Sequence, residues 1–345
     1  MHDWSELPLD LLNFISRRLL ELQDFIHFRA VCKRWRSAAP VADHPRQLPW
    51  VVGKRAVSQS NVQFLSLSTG KIYSVECNEA KGKQLLGSSH DYMLSFDPER
   101  RLLSLLNPLT RKEIHLPPTD SEWHRPLYIG PDPVQSGDDV VICWSSLDVL
   151  TVGLCQPGDQ EWKKIQISGG VDGQTYYKDM YYVTERETLA TKIMDIKTGS
   201  TLSIIPAPIC TSTGHPCCLE YLIVSSGEVL GVSGYNGARG KIENYVFDVY
   251  QLDDKNKIPR WIKIDSIGDR ILFLDDTIGF CLSASEFNNE DLKGDCIYFI
   301  AYLYDDWFFC FEFPLCRYNM KNPRVETVDD ALLGDTSSWF FPSIL

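Results

Sequence analysis

Between residues 7 and 40 the apolar positions recur at helical spacing. Leu11, Ile15 and Leu19 lie four apart, then Phe25, Phe28, Cys32 and Trp35 three and four apart. An apolar stripe of that period marks one side of a helix, so the stretch predicts two or three short amphipathic helices. Pro8 suits a first helical turn, Asp24 is placed to cap the second helix, and Pro40 ends the pattern. Helices this short carry more apolar surface than they can hide among themselves. Leu7, Leu11, Ile15, Leu19, Phe25, Phe28, Val31 and Trp35 form a stripe that needs a cover, either the rest of the chain or another protein.

After about residue 50 the period changes from 3.6 to 2, and the apolar runs become short and punctuated by turns: QFLSLSTGKIYSV, YMLSFDPERRLLSLLNPLT, DVLTVGLCQPGDQEWKKIQI and TLATKIMDIKTGSTLSII. These are hairpins. Turns at Gly70, Thr110, Gly158 and Gly199 follow one another at 40, 48 and 41 residues. A repeat near 40 residues with four strand-like runs per unit predicts β-propeller blades and not a sandwich. Looser units continue to the C-terminus, giving about six blades, with seven the next count the spacing admits. Ring closure requires that the last blade find a partner strand, and Pro49-Trp50-Val51-Val52 is the segment expected to supply it. The expected fold is a small all-α unit over residues 3–45 followed by an all-β propeller over 46–345.

At 345 residues with 44% hydrophobic positions, the chain is long enough for a large core, and no apolar run approaches the roughly 18 residues that span a bilayer. The start, MHDWSELP, lacks the basic and apolar regions of a signal peptide. Eleven cysteines, an odd number without paired CxxC spacing and without any N-x-S/T sequon, fit reduced thiols inside the cell, in nucleus or cytoplasm. His215-Pro216-Cys217-Cys218 resembles half a zinc site but lacks a second ligand pair, so no metal is expected.

Charge is uneven. The first fifty residues hold 7 Lys/Arg against 6 Asp/Glu, leaving 27 against 40 in the remaining 295, a balance that repels nucleic-acid phosphates. Acidic doublets at 253–254, 275–276, 305–306 and 329–330 flank strands and are expected in solvated loops. No P-loop, HExxH, GxSxG or EF-hand spacing occurs, and the seven histidines are scattered, so no catalytic residue and no cofactor is expected. Gly234 to Gly240 reads as a blade loop. For Trp162 and Trp261, each just after a turn, a structural role is expected; Trp123 and Trp307 are left open.

The opening segment resembles an F-box: Leu7-Pro8, a helix bearing Leu11, Ile15 and Leu19, then Phe28-Arg29-x-Val31-Cys32-Lys33-x-Trp35-Arg36. The body is similar to a Kelch-like F-box-associated propeller domain of plants, on Leu105-Leu106-Asn107-Pro108-Leu109-Thr110 through Ile114-His115-Leu116-Pro117, Lys178-Asp179-Met180-Tyr181-Tyr182, Tyr221-Leu222-Ile223-Val224, Val246-Phe247-Asp248-Val249-Tyr250 with Trp261, and Cys296-Ile297-Tyr298-Phe299 with Ser338-Trp339-Phe340-Phe341-Pro342. Asp269 to Asp276 departs from that pattern. The resemblance implies a substrate-recognition subunit of an SCF-type (Skp–cullin–F-box) ubiquitin ligase. The helices would dock on a Skp-type adaptor, and through it on a cullin–RING ligase, by Leu7, Pro8, Leu11, Ile15, Leu19, Phe25, Phe28, Val31, Cys32 and Trp35. The propeller would bind a target protein whose identity the sequence does not name. Periodicity alone leaves the stripe's two covers level; the resemblance favours the foreign subunit. The competing readings are an interaction module outside a ligase and a propeller hydrolase.

Overall fold

The computed structural model describes residues 4–53, 60–89, 91–118, 124–128, 140–146, 149–210, 213–236, 242–256, 258–275, 278–287, 292–301, 303–305, 310–312, 314–329 and 337–343. Three helices open the chain: α1 (Leu9–Ser16), α2 (Leu22–Ala30) and α3 (Lys33–Ala38). Pro8 stands at the N-cap of α1, where its carbonyl accepts the Leu12 amide at 3.1 Å and its missing N–H costs nothing. The second helix is capped differently from expectation. Glu21, in extended conformation, is its N-cap, and Asp24 lies inside the first turn, where a carboxylate favours the positive end of the helix.

Leu12, Phe25, Phe28, Ala38 and Ala39 fill the space between the helices, with Leu7, Leu19 and Trp35 against them. The Phe28 and Trp35 rings meet at 4.5 Å, and the Asn13 side-chain amide donates to the Ala38 carbonyl at 2.9 Å, tying α1 to the end of α3. Arg29 donates to the carbonyls of Arg36 and Ala39, satisfying groups that α3 leaves open at its end.

Among the described residues the remaining strands sort into six blades around a ring. Blades two to five are antiparallel sheets of four in chain order, beginning at Gln84, His124, Val171 and Tyr221. Blade one is shared between the two ends of the propeller. Ser337–Phe340 is its inner strand and pairs with Trp50–Gly53, followed outward by Asn61–Ser66 and Ile72–Glu76. The segment anticipated at 49–52 does take part in closure, but as the second strand of the first blade, which the C-terminal strand closes, and not as the strand that completes the last blade.

Blade six breaks the pattern. Its inner strand Gly279–Ser283 follows Arg270–Leu274 in sequence, and the latter runs parallel to Cys296–Ile300, with Leu315–Asn319 and Arg324–Asp329 outside. Leu303–Asp305 and Cys310–Glu312 form a separate two-stranded hairpin. Here the acidic-loop expectation fails. Asp275 is buried, accepting the Ser338 hydroxyl at 2.5 Å, and Asp305 lies in a strand. A buried carboxylate is retained because it receives polar hydrogens from the closing strand.

The four turns read at Gly70, Thr110, Gly158 and Gly199 all join the third strand of a blade to the fourth. Gly70, Arg111, Gly158 and Gly199 adopt positive φ there, and the carboxamide or carboxylate of Asn107 and Asp195 accepts backbone amides two and three residues on. Tryptophan repeats too. Trp162, just before the fourth strand of its blade, and Trp261, on the fourth strand of its own, reach back to the preceding blade, donating to the Pro117 carbonyl at 3.0 Å and the Thr191 hydroxyl at 3.3 Å. Trp123 and the Trp307 side chain lie outside the described residues.

The helical unit sits at one end of this ring. Leu22 inserts among Trp50, Val52, Phe64 and Phe340 of blade one, Ser68 donates to the Glu21 carboxylate at 3.0 Å, and Gln47 donates to the Leu20 carbonyl at 2.7 Å. Arg46 pairs with Glu286 of blade six. No helix among the described residues is long and apolar enough to cross a membrane.

Candidate functional site

With its interior and its attachment complete, the helical unit still presents an apolar face. Leu9, Leu11, Phe14, Ile15, Leu20, Ile26 and Val31 are exposed, Leu11 at 47%, Ile15 at 39% and Val31 at 57%. Leu11 and Ile15 fall one helical turn apart and share a side of α1. Phe14 is shielded on one side by Arg18, whose guanidinium lies 4.0 Å from the ring centre. Arg34 pairs at 3.6 Å with Glu6, an exposed pair of little energetic weight.

The ten residues singled out by sequence therefore divide into three groups. Pro8, Leu11, Ile15 and Val31 are exposed; Leu7, Leu19, Cys32 and Trp35 are half-buried; Phe25 and Phe28 are interior. The last two shape the open face from beneath. Two residues that periodicity did not separate decide the arrangement: Leu12, which points inward beside Leu11, and Leu22, which anchors the unit to the ring.

On the propeller, the described cysteines are free thiols with separate partners. Cys210 donates toward Asp248 at 3.5 Å, Cys217 lies 3.5 Å from the Tyr250 hydroxyl, and Cys218 donates to Asp172 at 3.1 Å. Burial pushes the Cys143 thiol up to about 12, so it is no nucleophile near neutrality. Among the described residues no three His, Cys, Asp or Glu side chains converge as a metal centre. Glu220 keeps contact with water, yet surrounding protein, opposed by the Gly234 amide and aided by the charge of Asp172, pushes its carboxyl up to about 7. It faces Asp172, which is held by Arg186 at 2.8 Å.

Three short helices seated on a closed six-bladed ring are the architecture of an F-box joined to a propeller. Comparison with known proteins agrees. The F-box domain matches residues 4–40, and the family described as KIB1-4 beta-propeller matches residues 64–328. The chain belongs to the KIB1-4 beta-propeller family and carries an F-box. A putative F-box protein of Arabidopsis thaliana is 23% identical over 98% of this chain and 93% of its own length. A second, described as a probable F-box protein from the same plant, is 24% identical over 99% and 97%. Among solved structures, a Bacteroides caccae protein of unknown function aligns over 85% of this chain and 99% of its own at 11% identity with a TM-score of 0.43, too distant to carry weight.

Proposed function

We propose that this chain is the target-recognition subunit of a Skp–cullin–F-box ubiquitin ligase, working inside the cell. Residues 3–45 dock on a Skp-type adaptor, and residues 46–345 hold a target protein near the ubiquitin-transfer machinery. One observation carries the reading: Leu11 and Ile15, one turn apart on α1, and Val31 at the end of α2 stay exposed after the helices have packed on one another and on blade one. An amphipathic helix surface of this kind is completed by the groove of a partner. Pro8 is exposed and Leu7, Leu19, Cys32 and Trp35 are half-buried, available to the same partner, while Phe25 and Phe28 support the unit from within.

The chain contributes proximity instead of chemistry. Tethering raises the effective concentration of the target's lysines beside a charged ubiquitin carrier, so the receptor works without a catalytic residue of its own. A pull-down with purified adaptor tests this: the intact chain is retained and a Leu7→Ala/Pro8→Ala variant is weakened. Absence of retention, or retention undiminished in the variant, overturns the reading.

A further inference from the structure

A cleft of about 430 Å³ opens between blades four and five. Its walls are chain reversals: Lys178 between the first two strands of blade four, Gly227 between the first two of blade five, and Asp253–Lys255 between that blade's last two. These reversals share the end of the ring that carries the helices. Arg270 of blade six reaches Glu228 beside Gly227 at 3.2 Å, and Asp269 binds Ser283 and Ser285, next to the Glu286 that pairs with Arg46.

The cleft combines aromatic surface with an uncommitted carboxylate. Tyr177 and Tyr182 line it. Of its acids, Glu228 is engaged by Arg270 and Asp253 by Arg260 at 3.5 Å. Among the described residues Asp254 makes no ion pair or hydrogen bond, while its charge acts on Lys178 and Tyr182. A cation is already present. The Lys178 ammonium lies 4.7 Å from the centre of the Tyr177 ring. Lys178 and Asp179 both hold positive φ, 51° and 60°, a tight hairpin turn in which glycine or asparagine is the usual occupant. The backbone thus accepts a strained position that lays a flexible cationic side chain over the tyrosine.

From this geometry we infer that the cleft is the subsite that reads a lysine or arginine side chain of the target polypeptide, seated on Tyr177 and facing Asp254, with Lys178 holding the place until the target displaces it. This rests on the receptor reading above. The excess of acid over base beyond residue 50 steers a basic partner toward the ring but does not by itself select a site. Placement on the helical end keeps a bound target on the side where the adaptor docks.

The test uses the full chain, immobilised, and a synthetic library of unstructured ten-residue peptides randomised at every position. Lysine or arginine is expected to be enriched at one position, and Asp254→Asn and Tyr177→Ala are each expected to lower that enrichment about threefold to tenfold. Lys178→Met, which removes the resident cation, raises it. Glu187→Gln removes the same unit of charge from an exposed turn at the opposite end of the ring and leaves the enrichment unchanged. Asp254 is exposed, so its replacement does not endanger folding. No preference for a cation, a preference for acidic peptides, or equal losses in the Asp254 and Glu187 variants overturns the assignment. Adaptor binding measured on the same variants separates the two ideas. A cleft that fails to select cations while adaptor binding persists defeats only this inference, and loss of adaptor binding by the unaltered chain defeats the receptor reading instead.

Discussion

Trp339 of the last propeller strand lies opposite Val51 of the first, and its indole N–H donates at 3.0 Å to the Leu274 carbonyl of blade six. One fully buried side chain therefore joins both ends of the ring and the neighbouring blade. Trp339→Ala is expected to destabilise the protein by about 3–5 kcal/mol, the usual cost of removing a buried aromatic. Urea unfolding measures it, and a loss below about 1 kcal/mol contradicts the closure described here.

Leu22 predicts a contrast with Leu11. The former is buried against Trp50 and Phe64, so Leu22→Ala costs about 2–5 kcal/mol and raises amide exchange across α2 as the helices loosen from blade one. The latter is half open to solvent, and Leu11→Ala changes stability by no more than about 0.5 kcal/mol. Equal effects on stability from the two substitutions would show that the helical unit is not seated by Leu22.

Asp295 sets an acid limit. Burial opposes its ionisation, but Lys321, Ser266 and the amides of Ile267 and Gly268 together hold its carboxyl below the ordinary value. A depressed native pKa contributes stability that is complete above the unfolded value of about 3.9 and is lost as pH falls through the native one. Asp295→Asn therefore removes about 1.5–3 kcal/mol at pH 7. At a pH below the native value of Asp295 the gap to the parent protein narrows, which denaturant midpoints at the two pH values report.

Glu220 acts in the opposite sense. With its carboxyl pushed up to about 7, the native state holds a proton that the unfolded chain releases near 4.5. Its contribution is full below the unfolded value and disappears as pH rises through about 7. Glu220→Gln is expected to flatten the decline of the melting temperature between about pH 4.5 and pH 7. An unchanged slope would place the proton elsewhere.

Much of this architecture is legible in the sequence because the blades repeat. Gly70, Arg111, Gly158 and Gly199 occupy one turn of successive blades, and a side chain that must adopt positive φ leaves a trace in residue type at most of them. Trp162 and Trp261 repeat for a similar reason, each spanning to the blade before. Blade six escapes a periodic reading because its first two strands exchange order and one pair runs parallel, so alternation reveals the strands but not their neighbours. Asp275 looked like a loop acid since only the distant Ser338 shows why it is inside.

The helical unit was half legible. Residues 9, 11, 12, 14 and 15 of α1 are all apolar and outnumber its polar positions, so hydrophobicity alone does not say which of them turn inward. Contact with Phe25, Phe28 and Ala38 decides it, drawing Leu12 in and leaving Leu11 and Ile15 out. Gly153 shows the same limit on the propeller. A β-carbon there would come within 2.5 Å of Trp144, a close approach that nothing in its neighbours announces.

The most direct test of the docking face is titration calorimetry of the full chain against a purified Skp-type adaptor, with Ile15→Asp as the variant. A charge at this exposed position is expected to weaken binding at least about tenfold, or 1.4 kcal/mol, while the melting temperature stays that of the parent protein. Failure of the parent protein to bind, or equal affinity in both proteins, would contradict the claim that this face exists for another subunit to cover.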